Sequence, residues 1–184
     1  MELSLNSTVT LNNGVKMPCL GLGVFATHGE QTRAVVRTGL EYGYRLLDTA
    51  RVYCNEVSVG KGIADSGVPR DQIFVTSKLW RTDWQNPREG LMRTLDRLHL
   101  QYLDLFLLHW PFLGYIEAYR ELEKLQNDGL CRAIGVSNFK QTHLEALLES
   151  GIQAPPQVNQ TEIHPMNTEE ALVRFCREHG IAAE

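Results

Sequence analysis

The sequence predicts an α/β fold, a parallel (β/α)8 barrel preceded by a β-hairpin. Short apolar segments alternate with amphipathic ones along the chain, which is typical of repeated βα units and a parallel sheet. Two apolar segments, 103–108 and 132–137, are nearly continuous, as expected for strands that are covered on both faces. The number of units best fits an eightfold barrel.

The hairpin comes first. Segments 8–11 and 15–17 flank Asn12-Asn13-Gly14, and Asn-Gly supplies the positive φ that hairpin turns require. The next predicted elements are a short strand over 19–23 and a helix that runs from a cap at Thr27 to about residue 42.

The same alternation continues along the rest of the chain. Strands are predicted over 44–48, 72–78, 103–108, 132–137, 157–160 and 180–183. Helices are predicted over 56–65, 86–98, 117–128, 140–150 and 168–179. The third helix of the chain has Asn86 as its cap and Pro87 at its first position, and Thr168 is the predicted cap of the last.

The predicted domain covers residues 1–184 and is truncated after about seven strands and six helices. A barrel wall with a missing strand would leave two edges unpaired and its core open to water. We therefore expect a fragment of a longer protein, or a partner chain that covers the gap. A monomer is otherwise expected.

Composition excludes several classes of function. The chain has 184 residues, a net charge of −4 and 43% hydrophobic residues, enough for one domain with a sizeable core. It has no apolar run of about 18 residues, no basic-then-apolar leader at 1–6 and no lysine–arginine tract. Its scattered cysteines, Cys19, Cys54, Cys131 and Cys176, predict free thiols in a reducing, cytoplasmic compartment. We expect neither a membrane nor a nucleic acid as partner.

Four chemically capable residues follow the ends of consecutive strands. Asp48 and Tyr53 follow one strand, Lys78 ends the next, and His109 follows the one after that. The carboxyl ends of barrel strands all face one mouth, where active sites lie. Each residue alone has an ordinary interpretation, as a cap acid, a rim aromatic, a solvated lysine or a core histidine. Their coincidence at adjacent strand ends indicates a catalytic site.

These residues suit proton donation to a carbonyl oxygen as a hydride arrives. The unperturbed pKa of tyrosine, near 10, makes it a weak acid at neutral pH. A nearby Lys78 ammonium would favour the phenolate and lower that pKa, and Asp48 would hold Lys78 in place. His109 would orient the substrate oxygen or share the proton transfer.

Several motifs resemble those of the aldo-keto reductases. They are Asp48-Thr49-Ala50-x-x-Tyr53-x-Asn55-Glu56, Ser77-Lys78-Leu79-Trp80, Asp104-Leu105-x-Leu107-Leu108-His109-Trp110-Pro111, Ile134-Gly135-Val136-Ser137-Asn138-Phe139 and Val158-Asn159-Gln160-x-Glu162-x-His164-Pro165. The resemblance extends from about residue 8 to residue 184. It implies reduction of aldehydes or ketones with NADPH, which becomes NADP+, with Tyr53 as the acid.

The resemblance also implies the binding residues. Ser137, Asn138 and Gln160 would hold the nicotinamide amide, and the other cofactor-binding residues would be Gly23, Val24 and Asp48. Phe25, Trp80 and Trp110 would form flat walls of the substrate pocket. No metal ion is implied.

Two departures from the family pattern carry expectations. Segment 110–116 is short where many relatives have a long loop, so we expect an open mouth and broad substrate choice. Phe25 stands where the family often has tryptophan, so we expect a slightly wider pocket. The family's motif for the adenosine 2′-phosphate and its specificity loop would lie beyond residue 184. A protein of only 184 residues would have weak activity or none.

Three alternatives compete with this interpretation. Segment 21–26 matches the G-x-G-x-x-A pattern of a doubly wound dinucleotide-binding fold, although residues 27–29 delay the helix that should follow. A metal-dependent barrel hydrolase would need clustered histidines, and the six present are well separated. A related barrel could also bind cofactor without turnover and serve as a regulatory or structural subunit.

Overall fold

The computed structural model describes residues 4–184, so positions 1–3 of the predicted domain and leader segment lie outside the described residues. Its first element is the predicted hairpin, in which β1 (Thr8–Thr10) pairs antiparallel with β2 (Lys16–Pro18). Gly14, with a φ of 86°, supplies the positive-φ position of the turn.

Seven parallel strands form the main sheet. They are β3 (Gly21–Gly23), β4 (Leu46–Asp48), β5 (Phe74–Leu79), β6 (Leu103–Leu108), β7 (Cys131–Ser137), β8 (Val158–Gln160) and β9 (Ala182–Ala183). Each strand pairs with the next one in sequence, from β3 to β9. This order confirms the seven-stranded barrel wall and shows that the doubly wound alternative is wrong, since that fold reverses its strand order at a switch point.

Six helices connect the strands, as predicted. They are α1 (Gly29–Glu41), α2 (Glu56–Ser66), α3 (Pro87–Leu98), α4 (Tyr115–Asn127), α5 (Gln141–Glu149) and α6 (Glu170–Glu178). Within residues 4–184, none of the helices has the length and apolar character needed to cross a bilayer.

The predicted helix caps can be compared with the caps that the structure shows. Asn86 caps α3 as predicted, because its side chain accepts a hydrogen bond from the Glu89 N–H and Pro87 occupies the first helical position. The Thr27 prediction is wrong, because its hydroxyl donates to the Val24 carbonyl and the residue that precedes α1 is His28.

The predicted cap at Thr168 is also wrong. Helix α6 begins one residue later than this prediction requires, and Glu169 occupies the cap position in a left-handed conformation with a φ of 46°. No side chain caps this helix among the described residues. Capping propensity therefore identified a helix start to within two residues without identifying the residue that fills the position.

Successive residues along each strand face opposite sides of the sheet, so they pack into two separate cores. The outer core lies between the sheet and the helices, and the inner core fills the barrel and is closed at one end by the hairpin. The buried residues of the inner core are Leu11, Met17, Leu46, Phe74, Leu105, Leu107, Ala133 and Val158. Because side chains alternate along a strand, the inward positions beyond this core belong to the residues at the carboxyl ends of the strands.

Candidate active site

The inward positions above the inner core carry polar side chains. Counting by two along the strands from Leu46, Phe74, Leu105, Ala133 and Val158 gives Asp48, Lys78, His109, Ser137 and Gln160. All five were predicted as site residues, and strand geometry places them at the same end of the barrel. The site is therefore a direct consequence of the period-two pattern of a strand and the parallel direction of the sheet.

Lys78 is the buried centre of this polar layer. Its side chain is only 1% exposed, and its Nζ donates to Asp48 Oδ1 at 2.5 Å, to the Thr49 carbonyl at 3.1 Å and to Tyr53 Oη at 3.4 Å. Three acceptors match the three N–H donors of an ammonium group. The buried charge is thus compensated by the Asp48 carboxylate and points at the phenol oxygen.

A buried hydrogen-bond network holds the loop that carries Tyr53. The Thr49 hydroxyl donates to Asn55 Oδ1 at 2.7 Å, and Asn55 Nδ2 donates to the carbonyls of Val24 at 2.8 Å and Thr27 at 3.1 Å. Sequence reasoning assigned no role to these supporting residues. Their signal was present in the sequence, because Thr49 and Asn55 are polar residues next to an apolar strand, where burial requires partners.

The start of α2 is fixed in the same way. Glu56 is 2% exposed, and its carboxylate accepts from the Ser77 hydroxyl at 2.9 Å and from Arg97 Nε at 2.6 Å. This contact joins α2 to β5 and α3 just after the Tyr53 loop. It limits movement of Tyr53 relative to Lys78, which lies next to Ser77 on β5.

His109 lies beside Tyr53 as a neutral imidazole. Its ring centroid is 5.8 Å from that of Tyr53 and 5.3 Å from that of Trp80, and the residue is 7% exposed. Burial, together with the positive charge of Lys78, lowers the pKa of His109 to about 4. Its Nδ1 is buried and has no hydrogen-bond partner among residues 4–184.

Two side-chain amides at the mouth have both of their N–H groups occupied. Asn138 Nδ2 donates to the His109 carbonyl at 3.0 Å and to Ser137 Oγ at 3.1 Å. Gln160 Nε2 donates to Asp48 Oδ2 at 2.9 Å and to Glu184 Oε2 at 3.1 Å. Glu184 was not among the predicted site residues. The amide oxygens of Asn138 and Gln160 accept no hydrogen bond from the part of the chain that the structure describes.

These residues leave a defined set of groups for a ligand. Two amide oxygens, Asn138 Oδ1 and Gln160 Oε1, can accept, and the Ser137 hydroxyl can still donate. The set is complementary to a primary amide, which has two N–H donors and one carbonyl acceptor. The end of the nicotinamide cofactor predicted to bind here carries such a group, so the residues present fit it.

A cavity of about 410 Å³ opens above this layer. Its lining consists of Phe25, Tyr53, His109, Ser137, Asn138, Gln160, Thr161 and Glu162. The Phe25 side chain is 72% exposed and its ring centroid is 4.9 Å from that of Tyr53, so one wall of the cavity is aromatic. A larger apolar groove of about 500 Å³ lies between the hairpin and β9, and it contains none of the four predicted catalytic residues.

The remaining predicted residues lie around the cavity rather than in its lining. Trp80 packs behind His109 against Phe112, at 5.4 Å between ring centroids, and Trp110 is 45% exposed at the surface. Gly23 pairs with Asp48 in the sheet. The Val24 side chain is fully buried in the outer core, and its N–H donates to the Asp48 carbonyl, so it presents no free group to the cavity.

The barrel wall, with Asp48 and Tyr53 around the buried Lys78, is the arrangement that the comparisons with known proteins can be set against. The sequence profile of the aldo/keto reductase family matches residues 19–183. The chain therefore belongs to this family of oxidoreductases.

Individual relatives resemble the chain along nearly its whole length. The chain is 46% identical to a glyoxal reductase of Bacillus subtilis (strain 168), over all of the chain and 68% of the relative, and 40% identical to a methylglyoxal reductase of Escherichia coli (strain K12), over 97% and 66%. Among solved structures, an aldo/keto reductase from Brucella melitensis superposes with a TM-score of 0.93 at 39% identity, over all of the chain and 71% of that structure.

An aldo-keto reductase of Bombyx mori, solved in complex with NADP, superposes with a TM-score of 0.91 at 35% identity, over 98% of the chain and 66% of that structure. The chain spans about two thirds of the length of the curated relatives compared here. These relatives support the fold across nearly the whole chain.

Proposed function

We propose that the chain forms the catalytic core of an NADPH-dependent carbonyl reductase in which Tyr53 donates the proton. The observation that carries this proposal is the contact of the Lys78 ammonium with both Asp48 and the Tyr53 oxygen. Family membership supports carbonyl reduction in general, and the glyoxal and methylglyoxal reductases among the relatives support the direction of the reaction.

The cofactor assignment is supported by the mouth of the barrel and by one relative. Ser137, Asn138 and Gln160 would hold the nicotinamide carboxamide through the free hydroxyl and the two free amide oxygens. The Bombyx mori relative was solved with NADP, which favours NADP(H) for this chain as well. When bound, NADPH supplies the hydride, and the residues of the chain supply orientation and the proton.

Proton donation depends on how the charges around Tyr53 are arranged. As the carbonyl oxygen gains negative charge, the Tyr53 O–H donates its proton to that oxygen and leaves a phenolate. The Lys78 ammonium stabilises this phenolate from 3.4 Å, in a partly buried setting where water screens the charges less than at the surface. Asp48 keeps Lys78 in place and balances its charge before the reaction.

His109 has a positioning role in this proposal. With its pKa lowered to about 4, the imidazole is neutral at pH 7, so it can offer an N–H to the substrate oxygen without adding a second positive charge beside Lys78. The ring stands next to Tyr53, on the wall of the same cavity. A carbonyl oxygen held between His109 and Tyr53 would be oriented toward the proton donor.

The proposed substrates are small aldehydes, with α-oxoaldehydes as the first to test. The cavity has a volume of about 410 Å³, and the exposed Phe25 forms part of its lining. This shape favours compact carbonyl compounds over long, branched ones. The glyoxal and methylglyoxal reductases among the relatives act, by their names, on compounds of this size.

The decisive experiment replaces the proton donor. Tyr53→Phe should lower kcat for methylglyoxal by about 10²- to 10⁴-fold, the usual contribution of a general acid, while the Kd for NADPH stays within about twofold. NADPH oxidation measures kcat, and quenching of protein fluorescence measures Kd. Tyr42→Phe is the matched control, because Tyr42 is 77% exposed and remote from the cavity lining.

Two outcomes would reject the proposal. A Tyr53→Phe variant with an undiminished kcat would show that another group donates the proton. A protein of the relatives' full length that contains this chain, binds NADPH and turns over no aldehyde would favour the regulatory subunit instead.

A further inference from the structure

Glu184 is held in the barrel wall by main-chain hydrogen bonds. Its N–H donates to the Asn159 carbonyl at 3.1 Å, and its carbonyl accepts from the Thr161 N–H at 2.8 Å. These bonds continue the parallel pairing of β8 with β9. Because Ala182 packs against the inner core, the period of two directs the Glu184 side chain to the inside of the barrel.

The Glu184 carboxylate reaches the layer of predicted site residues through Gln160. Gln160 Nε2 lies 3.1 Å from Glu184 Oε2 and 2.9 Å from Asp48 Oδ2. When both acids are ionised they only accept hydrogen bonds, so the nitrogen of the amide then faces both of them. The Gln160 oxygen is then directed away from the two acids and toward the cavity that Gln160 lines.

Asp48 alone would not fix this arrangement. A single acceptor occupies one N–H and leaves the other free, and the side-chain torsion that sets the plane of a glutamine amide is broad. Two acceptors, one for each N–H, define both the plane of the amide and the end of it that faces the cavity. Preorganisation of this kind lowers the cost of ordering the site when a ligand binds.

The charged groups around Glu184 affect its protonation, and therefore its hydrogen bond with Gln160. Asp48 on β4 and Lys78 on β5 act on the Glu184 carboxylate electrostatically. Arg177 of α6 lines, together with Glu184, the apolar groove between the hairpin and β9. Burial, reinforced by the Asp48 charge, raises the pKa of Glu184 to about 7, and the Gln160 hydrogen bond and Lys78 oppose this rise.

We propose that Glu184 is a positioning residue: by accepting the second N–H of Gln160, it fixes the Gln160 oxygen as an acceptor for the amide of the nicotinamide cofactor. The inference rests on the proposed function for the identity of the cofactor. The contact between Glu184 and Gln160 stands independently, in the chain without ligand.

The first test observes the contact without any variant or cofactor. In an NMR titration of the wild-type chain, the Gln160 side-chain N–H signals should shift with a midpoint near pH 7, because protonation of Glu184 weakens the acceptor. Glu184→Ala should remove this step from the Gln160 signals. Gln160 signals that are unchanged between pH 5 and 9 would overturn the inference.

The second test measures the consequence for binding. Glu184→Ala should weaken NADPH binding about tenfold, the effect of losing one ordering hydrogen bond. Glu184→Gln should restore affinity to within about threefold, because its amide oxygen also accepts from Gln160, and it should abolish the pH step near 7. Glu178→Ala is the matched control, since Glu178 is exposed on α6.

The outcomes separate the two proposals. A Glu184→Ala variant that binds NADPH as tightly as wild type overturns the positioning role and leaves the proposed function intact. A protein of the relatives' full length that contains this chain and has no affinity for NADPH overturns the proposed function, and with it the cofactor role of Glu184.

Discussion

At the scale of single residues, the site depends on charges that are buried but matched. Lys78 has three acceptors, and one of them is a carboxylate. His109, beside it, avoids a second positive charge by remaining neutral. The polar layer therefore concentrates one cation next to the phenol that we propose as the proton donor.

The neutral state of His109 predicts a specific pH dependence of stability. Its pKa is about 4 in the folded chain and near 6.5 when unfolded, so the unfolded chain binds the proton more readily. The stabilising contribution is complete above pH 6.5 and is lost as the pH falls toward 4, by about 3 kcal/mol in all. Urea denaturation at pH 7 and at pH 4 should show a smaller loss of unfolding free energy in His109→Gln than in wild type.

The control for this prediction is His28→Gln, at an exposed position before α1. It should lose as much stability between pH 7 and pH 4 as the wild type does. An equal loss in His109→Gln would mean that folding does not lower the pKa of His109.

Among the residues of the site, sequence reasoning identified those with distinctive chemistry. Asp48, Tyr53, Lys78 and His109 were predicted from their residue types and their positions at strand ends, and the structure brings them together. Glu184 was missed because a glutamate after two alanines has no local signal. Only the pairing of β8 with β9 shows that it faces Gln160.

At the scale of elements, the approach of α2 to α3 supports the site. A Cβ atom built on Gly60 of α2 would lie 2.3 Å from the carbonyl oxygen of Leu98 in α3. Only a residue without a side chain permits this approach. Because α2 begins at Glu56, just after the Tyr53 loop, displacement of the helix would also move Tyr53 relative to Lys78.

Gly60→Ala should therefore destabilise the chain, although alanine favours helices by about 1 kcal/mol over glycine. Steric overlap with the Leu98 main chain should outweigh this gain, for a net loss of about 1–3 kcal/mol in unfolding free energy. Chemical denaturation measures the loss. Lys61→Ala, at the exposed neighbouring position, should change stability by less than about 0.5 kcal/mol. A Gly60→Ala chain as stable as wild type would show that the two helices are free to separate.

The elements were predictable because each has its own local signal. Apolar runs marked the strands, and the 103–108 prediction matches β6 in both bounds. Other boundaries shifted by a few residues, and the caps at Thr27 and Thr168 were wrong. Hydrogen bonds from neighbouring elements decide such positions, as when the Val24 carbonyl takes the Thr27 hydroxyl.

At the scale of the whole molecule, the sheet has a buried centre and two outer strands. All residues of β5 and β6 are buried, and β7 is buried at every position except Arg132. Strands β3 and β9 are the edges of the seven-stranded sheet, with three and two residues. Hydrogen bonds at the centre should therefore open only with global unfolding, and those at the edges by local fraying.

Hydrogen exchange followed by NMR measures this difference directly. Amides of β5, β6 and β7 should exchange at least about 100-fold more slowly than those of β3 and β9 under the same conditions, because their opening free energies should differ by about 3 kcal/mol or more. The short interior strand β8 is the internal control, since it has few residues but a neighbour on each side. Uniform exchange across the sheet would contradict a protected centre.

The sequence by itself determined the barrel architecture, the family and the positions of four polar residues at or just after the strand ends, because periodicity and residue type act locally along the chain. The tertiary structure alone decided which groups meet: the Lys78 contacts, the neutral His109 and the Gln160 amide held between two carboxylates. These features depend on distance and burial, and both arise only when strands that are far apart in sequence pack side by side around one interior.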